Sequence, residues 1–219
     1  YGVPCISGKD SMKNDYQIGD TKISIPPTLL FSTIGVIQDV RQAVTMEAKQ
    51  AGDLVYVLGR TGPELGGSEW YALRGFIGND VPKVNAVRAK KRYAALSRAI
   101  AAGLVASCHD CSDGGLAVAL AEVAFAGALG LSVDLARVPA RGIRRNDELL
   151  FSESQSRFVV TVSPRSAAAF ERIMKGGEFA RVGRVTPEKT LKIRGLKGNT
   201  VVAEDIALLK AVWQRPLNF

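Results

Sequence analysis

Apolar residues recur at spacings of three and four over 86–100. Ala86, Ala89, Tyr93, Leu96 and Ile100 share one helical face, while Arg88, Lys91, Arg92 and Arg98 lie mostly elsewhere. Gly103 supplies the stop. Residues 116–126 are apolar almost all round, Glu122 excepted, which predicts a helix buried between layers. Further helices are expected over 164–175, stopped by Gly176-Gly177, and over 203–213, where Ile206, Leu209 and Trp213 share a face. Residues 68–73 and 146–150 read as short helical pieces. Strands are expected at 53–58, 104–107, 131–135 and 157–162, and 179–185 with 191–194 as a hairpin pair. Because the last strands come in adjacent pairs, the pattern predicts an α+β fold, a mixed β-sheet packed with helices, over a doubly wound parallel sheet.

The beginning of the chain is patterned differently. Residues 1–6 read as a short strand, followed by the polar turn Ser7-Gly8-Lys9-Asp10-Ser11 and a flexible stretch over 14–22. Residues 28–36, rich in leucine and β-branched side chains, read as a buried strand. Two or three strands cannot bury both faces unaided, so this part needs a partner sheet. It is expected to be a flap on the following domain or the torn edge of another. The division is accordingly 1–42 and 43–219. A start at Tyr1, directly before Val3-Pro4-Cys5-Ile6, reads like the interior of a fold and predicts a piece of a longer polypeptide.

Composition narrows the function classes. Of 219 residues, 47% are apolar and 23% charged, which excludes wholesale disorder. No apolar stretch approaches the ~20 residues needed to cross a bilayer, so no membrane role is expected. Three cysteines give no disulfide framework, and a reducing, cytoplasmic compartment is the inference. The net charge of +8 permits a nucleic-acid or an anionic-metabolite partner. Aromatic residues are not interleaved with the basic clusters, so no nucleic-acid partner is expected.

Several polar turns could carry chemistry. Gly8, Lys9 and Ser11 combine a glycine, a cation and a hydroxyl in a turn able to hold a phosphate, but the G-x-x-x-x-G-K-[ST] spacing is absent, so this is no P-loop. Cys108 and Cys111 have C-x-x-C spacing without enough further ligands for zinc. They are also too far ahead of the next helix for a redox pair, so buried small side chains are expected. Asp110, Ser112 and Asp113, followed by Gly114-Gly115, offer oxygens for magnesium at a helix N-terminus whose amides could face a phosphate. The alternative is a cap made by Ser112 or Asp113, although one cap needs one acceptor, not three. Gly67 and Ser68 could cradle an anion or merely turn. Glu153, Ser154 and Gln155 could project into a cleft or form an exposed loop.

These loops share a further property. The segment from Pro4 through Ser7-Gly8-Lys9-Asp10-Ser11 to Asp15, Leu65-Gly66-Gly67-Ser68-Glu69, His109-Asp110-Cys111-Ser112-Asp113-Gly114-Gly115-Leu116 and Phe151-Ser152-Glu153-Ser154-Gln155-Ser156-Arg157 occur in an order that resembles the second synthetase half of the phosphoribosylformylglycinamidine synthase family. The resemblance implies a carbon–nitrogen ligase of purine biosynthesis. Such an enzyme converts formylglycinamide ribonucleotide (FGAR) to formylglycinamidine ribonucleotide (FGAM) with ATP, and with ammonia from a glutaminase domain or subunit. It implies that residues 1–42 are terminal strands of a barrel domain and 43–219 a C-terminal domain like that of the aminoimidazole ribonucleotide synthetase superfamily. Gly8 and Lys9 would face nucleotide phosphate, and Ser11 the substrate. Family members of the small type usually have asparagine where Lys9 stands. Asp110 would bind Mg2+ and Ser112 the nucleotide at a structural site holding ADP. Glu153, Ser154 and Gln155 would face that non-catalytic site, so no residue here is expected to be catalytic. The isolated chain is expected to be inactive without the rest of the synthetase module. A non-enzymatic partner-binding or structural nucleotide-binding domain, with self-association through residues 1–40, is the alternative.

Overall fold

The computed structural model describes residues 1–8, 15–24 and 28–217, and places them in two compact units, Tyr1–Val40 and Arg41–Phe219. The first unit holds β1 (Asp15–Ile18) and β2 (Thr21–Ser24), paired antiparallel, with Ile18 opposite Thr21. Gly19 turns the chain at φ +57°. A hairpin thus occupies most of the stretch read as flexible. The strand expected at 1–6 is absent, and so is the buried strand at 28–36, where Leu30 and Ile34 are 86% and 90% exposed. Among the described residues this unit has only the two strands of the hairpin and no third strand for such a segment to pair with.

The second unit is built in chain order from β3 (Leu54–Leu58), α1 (Glu69–Ala72), α2 (Ala86–Ala101), β4 (Ser107–Asp110), α3 (Gly115–Gly127), β5 (Gly130–Asp134) and α4 (Asn146–Phe151). It continues with β6 (Phe158–Val162), α5 (Ala167–Met174), β7 (Phe179–Thr186), β8 (Thr190–Arg194), β9 (Thr200–Asp205) and α6 (Ile206–Gln214). Its seven-stranded sheet runs β4-β6-β3-β7-β5-β8-β9. Every neighbouring pair is antiparallel except β5 with β8, so the sheet is mixed and carries helices, as expected.

Strand β3 is buried at all five positions because both faces of the sheet are covered there. Val55 and Val57 join the core beneath α3, with Leu116, Leu120 and Val123. Leu54, Tyr56 and Leu58 face the other way, into a second core with Leu96 and Ala99 of α2 and Phe170 and Met174 of α5. The all-round apolarity of α3 has the same origin: six of its residues are buried.

Four expectations are corrected. Strand β4 begins at Ser107, three residues later than the start expected at 104, because the polar residues enter the sheet. The Ser107 hydroxyl is satisfied inside by that of Thr161 at 2.6 Å. Residues 179–185 and 191–194 do not form a hairpin. Leu131 of β5 registers with Val185 on one side and Leu191 on the other, and so inserts between them. The first part of the closing helix is β9, and α6 starts only at Ile206, where the Asp205 carboxylate accepts from the amides of Ala207 (2.7 Å) and Leu208 (3.1 Å). Finally, α3 is capped by neither Ser112 nor Asp113. Its cap is Gly114, at φ 74°, with no side-chain cap bond.

Candidate functional site

Strand β4 delivers His109 and Asp110 to the sheet end beside the N-terminus of α3. The Asp110 side chain is 59% exposed, and one of its oxygens accepts from the Ser112 hydroxyl. His109 Nδ1 lies 3.5 Å from the other oxygen. On its far side, His109 Nε2 meets Glu122 Oε2 at 2.7 Å, and Glu122 Oε1 accepts from Trp213 Nε1 at 2.9 Å. The one charged residue of α3 therefore ties β4, α3 and α6 together and holds the imidazole behind Asp110.

Three loops distant in sequence meet at a single carboxylate. Glu153 Oε1 accepts from Gly114 N at 2.9 Å and from Glu69 N at 3.0 Å. It thus closes the amide at the start of α3 and another at the start of α1, where a negative charge is favourable. The geometry depends on Gly115, which at φ +66° packs so closely that a Cβ would lie 2.5 Å from Ser152 O. Ser68 is buried and fully engaged: its hydroxyl donates to Leu65 O at 2.6 Å and accepts from Tyr71 N at 3.3 Å. Gly67, at φ +70°, donates its amide to Ile77 O at 2.6 Å. Both therefore build the loop, while Asp110, Ser112 and Asp113 stand exposed at its rim.

The 153–155 triplet divides. Glu153 turns towards the helix starts, whereas Ser154 and Gln155 line a separate cleft of about 380 Å³. Buried Ser154 accepts from Gly62 N at 3.0 Å and donates to Glu64. The cleft's cations converge on Glu178, which lies 3.3 Å from Arg60, 3.8 Å from Arg88 and 3.1 Å from Arg92. This cluster was not legible in the chain, because its members come from the loop after β3, from α2 and from the turn before β7. Beneath the loop lies Arg157, 1% exposed, which donates to Ser154 O (2.8 Å), Thr61 Oγ1 (2.9 Å) and Ser152 O. Burial lowers its pKa from the usual range.

Cys111 is buried in the core beneath α3 and Cys108 packs partly buried against the second core, whereas Cys5 is exposed. Burial, reinforced by Asp110, pushes the Cys108 thiol up to about 12, and burial pushes Cys111 up to about 11. Both shifts disfavour the thiolate that a redox dithiol needs. Among the described residues no group of three His, Cys, Asp or Glu side chains could hold a metal, and no helix is long and apolar enough to cross a membrane. Gly8 is exposed, with open space where a Cβ would stand, whereas Lys9 and Ser11 lie outside the described residues.

Comparison with known proteins agrees with this architecture. Phosphoribosylformylglycinamidine synthase subunit PurL of Alkaliphilus metalliredigens is 37% identical over 218 residues, which is 98% of this chain and 28% of that protein. Thermotoga maritima PurL complexed with FGAR superposes with a TM-score of 0.68 at 25% identity, over 78% of this chain and 30% of that one. Escherichia coli HypE shares the fold alone, with a TM-score of 0.54 at 19% identity over 74% of this chain and 52% of its own. The chain thus spans little more than a quarter of the length of its PurL relative. Residues 50–195, more than half of the chain, match the family described as AIR synthase related protein, C-terminal domain, and the chain belongs to that family.

Proposed function

We propose that this chain is part of the second synthetase half of a phosphoribosylformylglycinamidine synthase, the ligase that makes FGAM from FGAR, ATP and glutamine-derived ammonia. In this reading residues 1–42 are terminal strands of a barrel domain and residues 43–219 the C-terminal domain behind it. The similarity to PurL over 98% of this chain supports it. The observation that carries it is the meeting of the 66–69, 110–115 and 153–155 loops at Glu153, which leaves Asp110 and Ser112 together at an open rim. Those loops have no common packing task that would require both an exposed carboxylate and a hydroxyl beside a helix start.

The site is assigned to nucleotide, held as ADP in a structural role. Asp110 supplies one carboxylate oxygen and Ser112 a hydroxyl. That set suits magnesium, which keeps waters and takes its remaining ligands from nucleotide phosphates, and does not suit a metal caged by protein alone. Bound there, Mg2+ would neutralise phosphate charge. Glu153 already occupies the Gly114 amide, so phosphate contact falls to the rim residues. Gly8, Lys9 and Ser11 are assigned to the catalytic site, where lysine neutralises phosphate and Ser11 contacts the ribonucleotide. The remaining synthetase module and a glutaminase are the partners, in the cytoplasm. The apolar run containing Leu29, Leu30, Phe31 and Ile34 is then the surface that the rest of the barrel covers.

The chain alone is expected to give no FGAM from FGAR, ATP and ammonia. In an intact synthetase carrying this segment, Ser11→Ala is expected to raise the KM for FGAR at least tenfold. Product formation by the chain alone, or an intact synthetase indifferent to Ser11→Ala, would contradict the assignment.

A further inference from the structure

One half of the sheet is bare on one face. The core formed with α2 and α5 covers β3 and β6, and does not extend to β5, β8 or β9. Register shows what the bare half displays. Leu54 of β3 pairs with Arg184, Arg184 pairs with Ser132 of β5, and Ser132 pairs with Lys192 of β8, so these four side chains share one face. The next rows add Arg181, opposite Tyr56, and Arg194, opposite Asp134. Together with Arg137 they line one cleft of about 450 Å³.

Cations outnumber acids in this cleft. Five cations line it and a single acid, Asp134, which pairs with Arg194 and lies 3.7 Å from Arg137. Among the described residues no side-chain hydrogen bond or ion pair engages Arg184, Lys192 or Arg181, and Arg181 interacts electrostatically with the neighbouring Tyr56. Like charges on neighbouring strands destabilise a sheet. Arg184 and Lys192 nevertheless flank Ser132, a residue too small to screen them, which lines the cleft with them. No aromatic residue lines the cleft, which argues against stacked bases, and an aromatic or methionine anchor typical of protein interfaces is missing too.

We propose that this cleft binds a compact oligophosphate, a diphosphate or triphosphate group either free or as the tail of a nucleotide. Guanidinium groups bind phosphate oxygens bidentately, and lysine adds a point charge, so three such cations around Ser132 match several closely spaced phosphates. The proposal is independent of the nucleotide site at Asp110 and requires no metal.

The test is a titration of the chain with sodium tripolyphosphate in EDTA at low ionic strength, read by calorimetry and by thermal shift. Wild type is expected to bind and to gain several degrees in melting temperature. The Arg184→Ser/Lys192→Ser double variant should lose at least tenfold in affinity. Ser132→Asp, which places a carboxylate between the two cations, should abolish binding while raising the melting temperature of the free protein. ATP binding like tripolyphosphate would identify the nucleotide tail as a source, and AMP should not bind. No binding by wild type, or equal binding by the double variant, would overturn the proposal. So would tighter binding, per charge, of duplex DNA or of an oligoglutamate.

Discussion

Replacing Arg157 with methionine is expected to cost the second unit roughly 4 kcal/mol, measured by urea denaturation. The side chain is 1% exposed, and its guanidinium holds Ser154 O, Thr61 Oγ1 and Ser152 O together from inside. Methionine fills much of the space, yet it leaves three buried acceptors without donors. Each such loss costs about 1–3 kcal/mol, partly offset because no charge is then buried. Lysine should recover less than half of the loss, since one ammonium cannot reach three acceptors spread over a fork. The loop that Arg157 anchors carries Glu153, so this substitution should also free the Gly114 amide. A loss below about 1 kcal/mol would show that the guanidinium is incidental packing.

Gly115→Ala is expected to be nearly as damaging, at about 3 kcal/mol, and to act at the same junction. The residue sits at φ +66°, and a Cβ would stand 2.5 Å from Ser152 O and 3.0 Å from Leu150 O. Both obstacles are backbone atoms, which cannot rotate aside, so α3 and the 150–152 segment must separate. Amide exchange at Gly114 should quicken in step, since the bond from its N–H to Glu153 spans the widened gap. An alanine variant within 0.5 kcal/mol of wild type, with Gly114 still protected, would contradict the observed convergence.

What could be read from the chain followed from periodicity. Helix α2 shows its apolar stripe because one narrow face packs on the sheet, and α3 its near-complete apolarity and β3 its unbroken run because each buries a large fraction of its own residues. Strands that depend on a partner were hidden. Strand β4 contains Ser107 and His109, whose polarity is tolerated only because Thr161 and Glu122 meet them across the fold. Strand β9 is mostly exposed, and β5 between β7 and β8 is a matter of register that local pattern does not encode. The reverse error, a buried strand at 28–36, came from reading apolarity as burial where no neighbouring strand pairs with it.

The site divides the same way. Its loops were recognisable from Asp110, Ser112, Gly67 and Glu153 as residue types, and the structure brings these loops to one place. The division of labour was not recognisable. That Glu153 caps two helices while Ser154 faces an arginine cleft depends on alternate side-chain directions in an extended segment, seen only against the elements around it.

The central claim is that Asp110 and Ser112 form the rim of a magnesium–nucleotide site. The deciding measurement is a calorimetric titration with ADP at physiological salt, with magnesium and with EDTA, on the Arg184→Ser/Lys192→Ser chain, in which the cationic cleft on the sheet is silenced. One ADP should bind per chain only with magnesium, at least tenfold more weakly once Asp110→Ala is added. Equal affinity with and without Asp110→Ala in that background, or binding there indifferent to magnesium, would overturn the assignment.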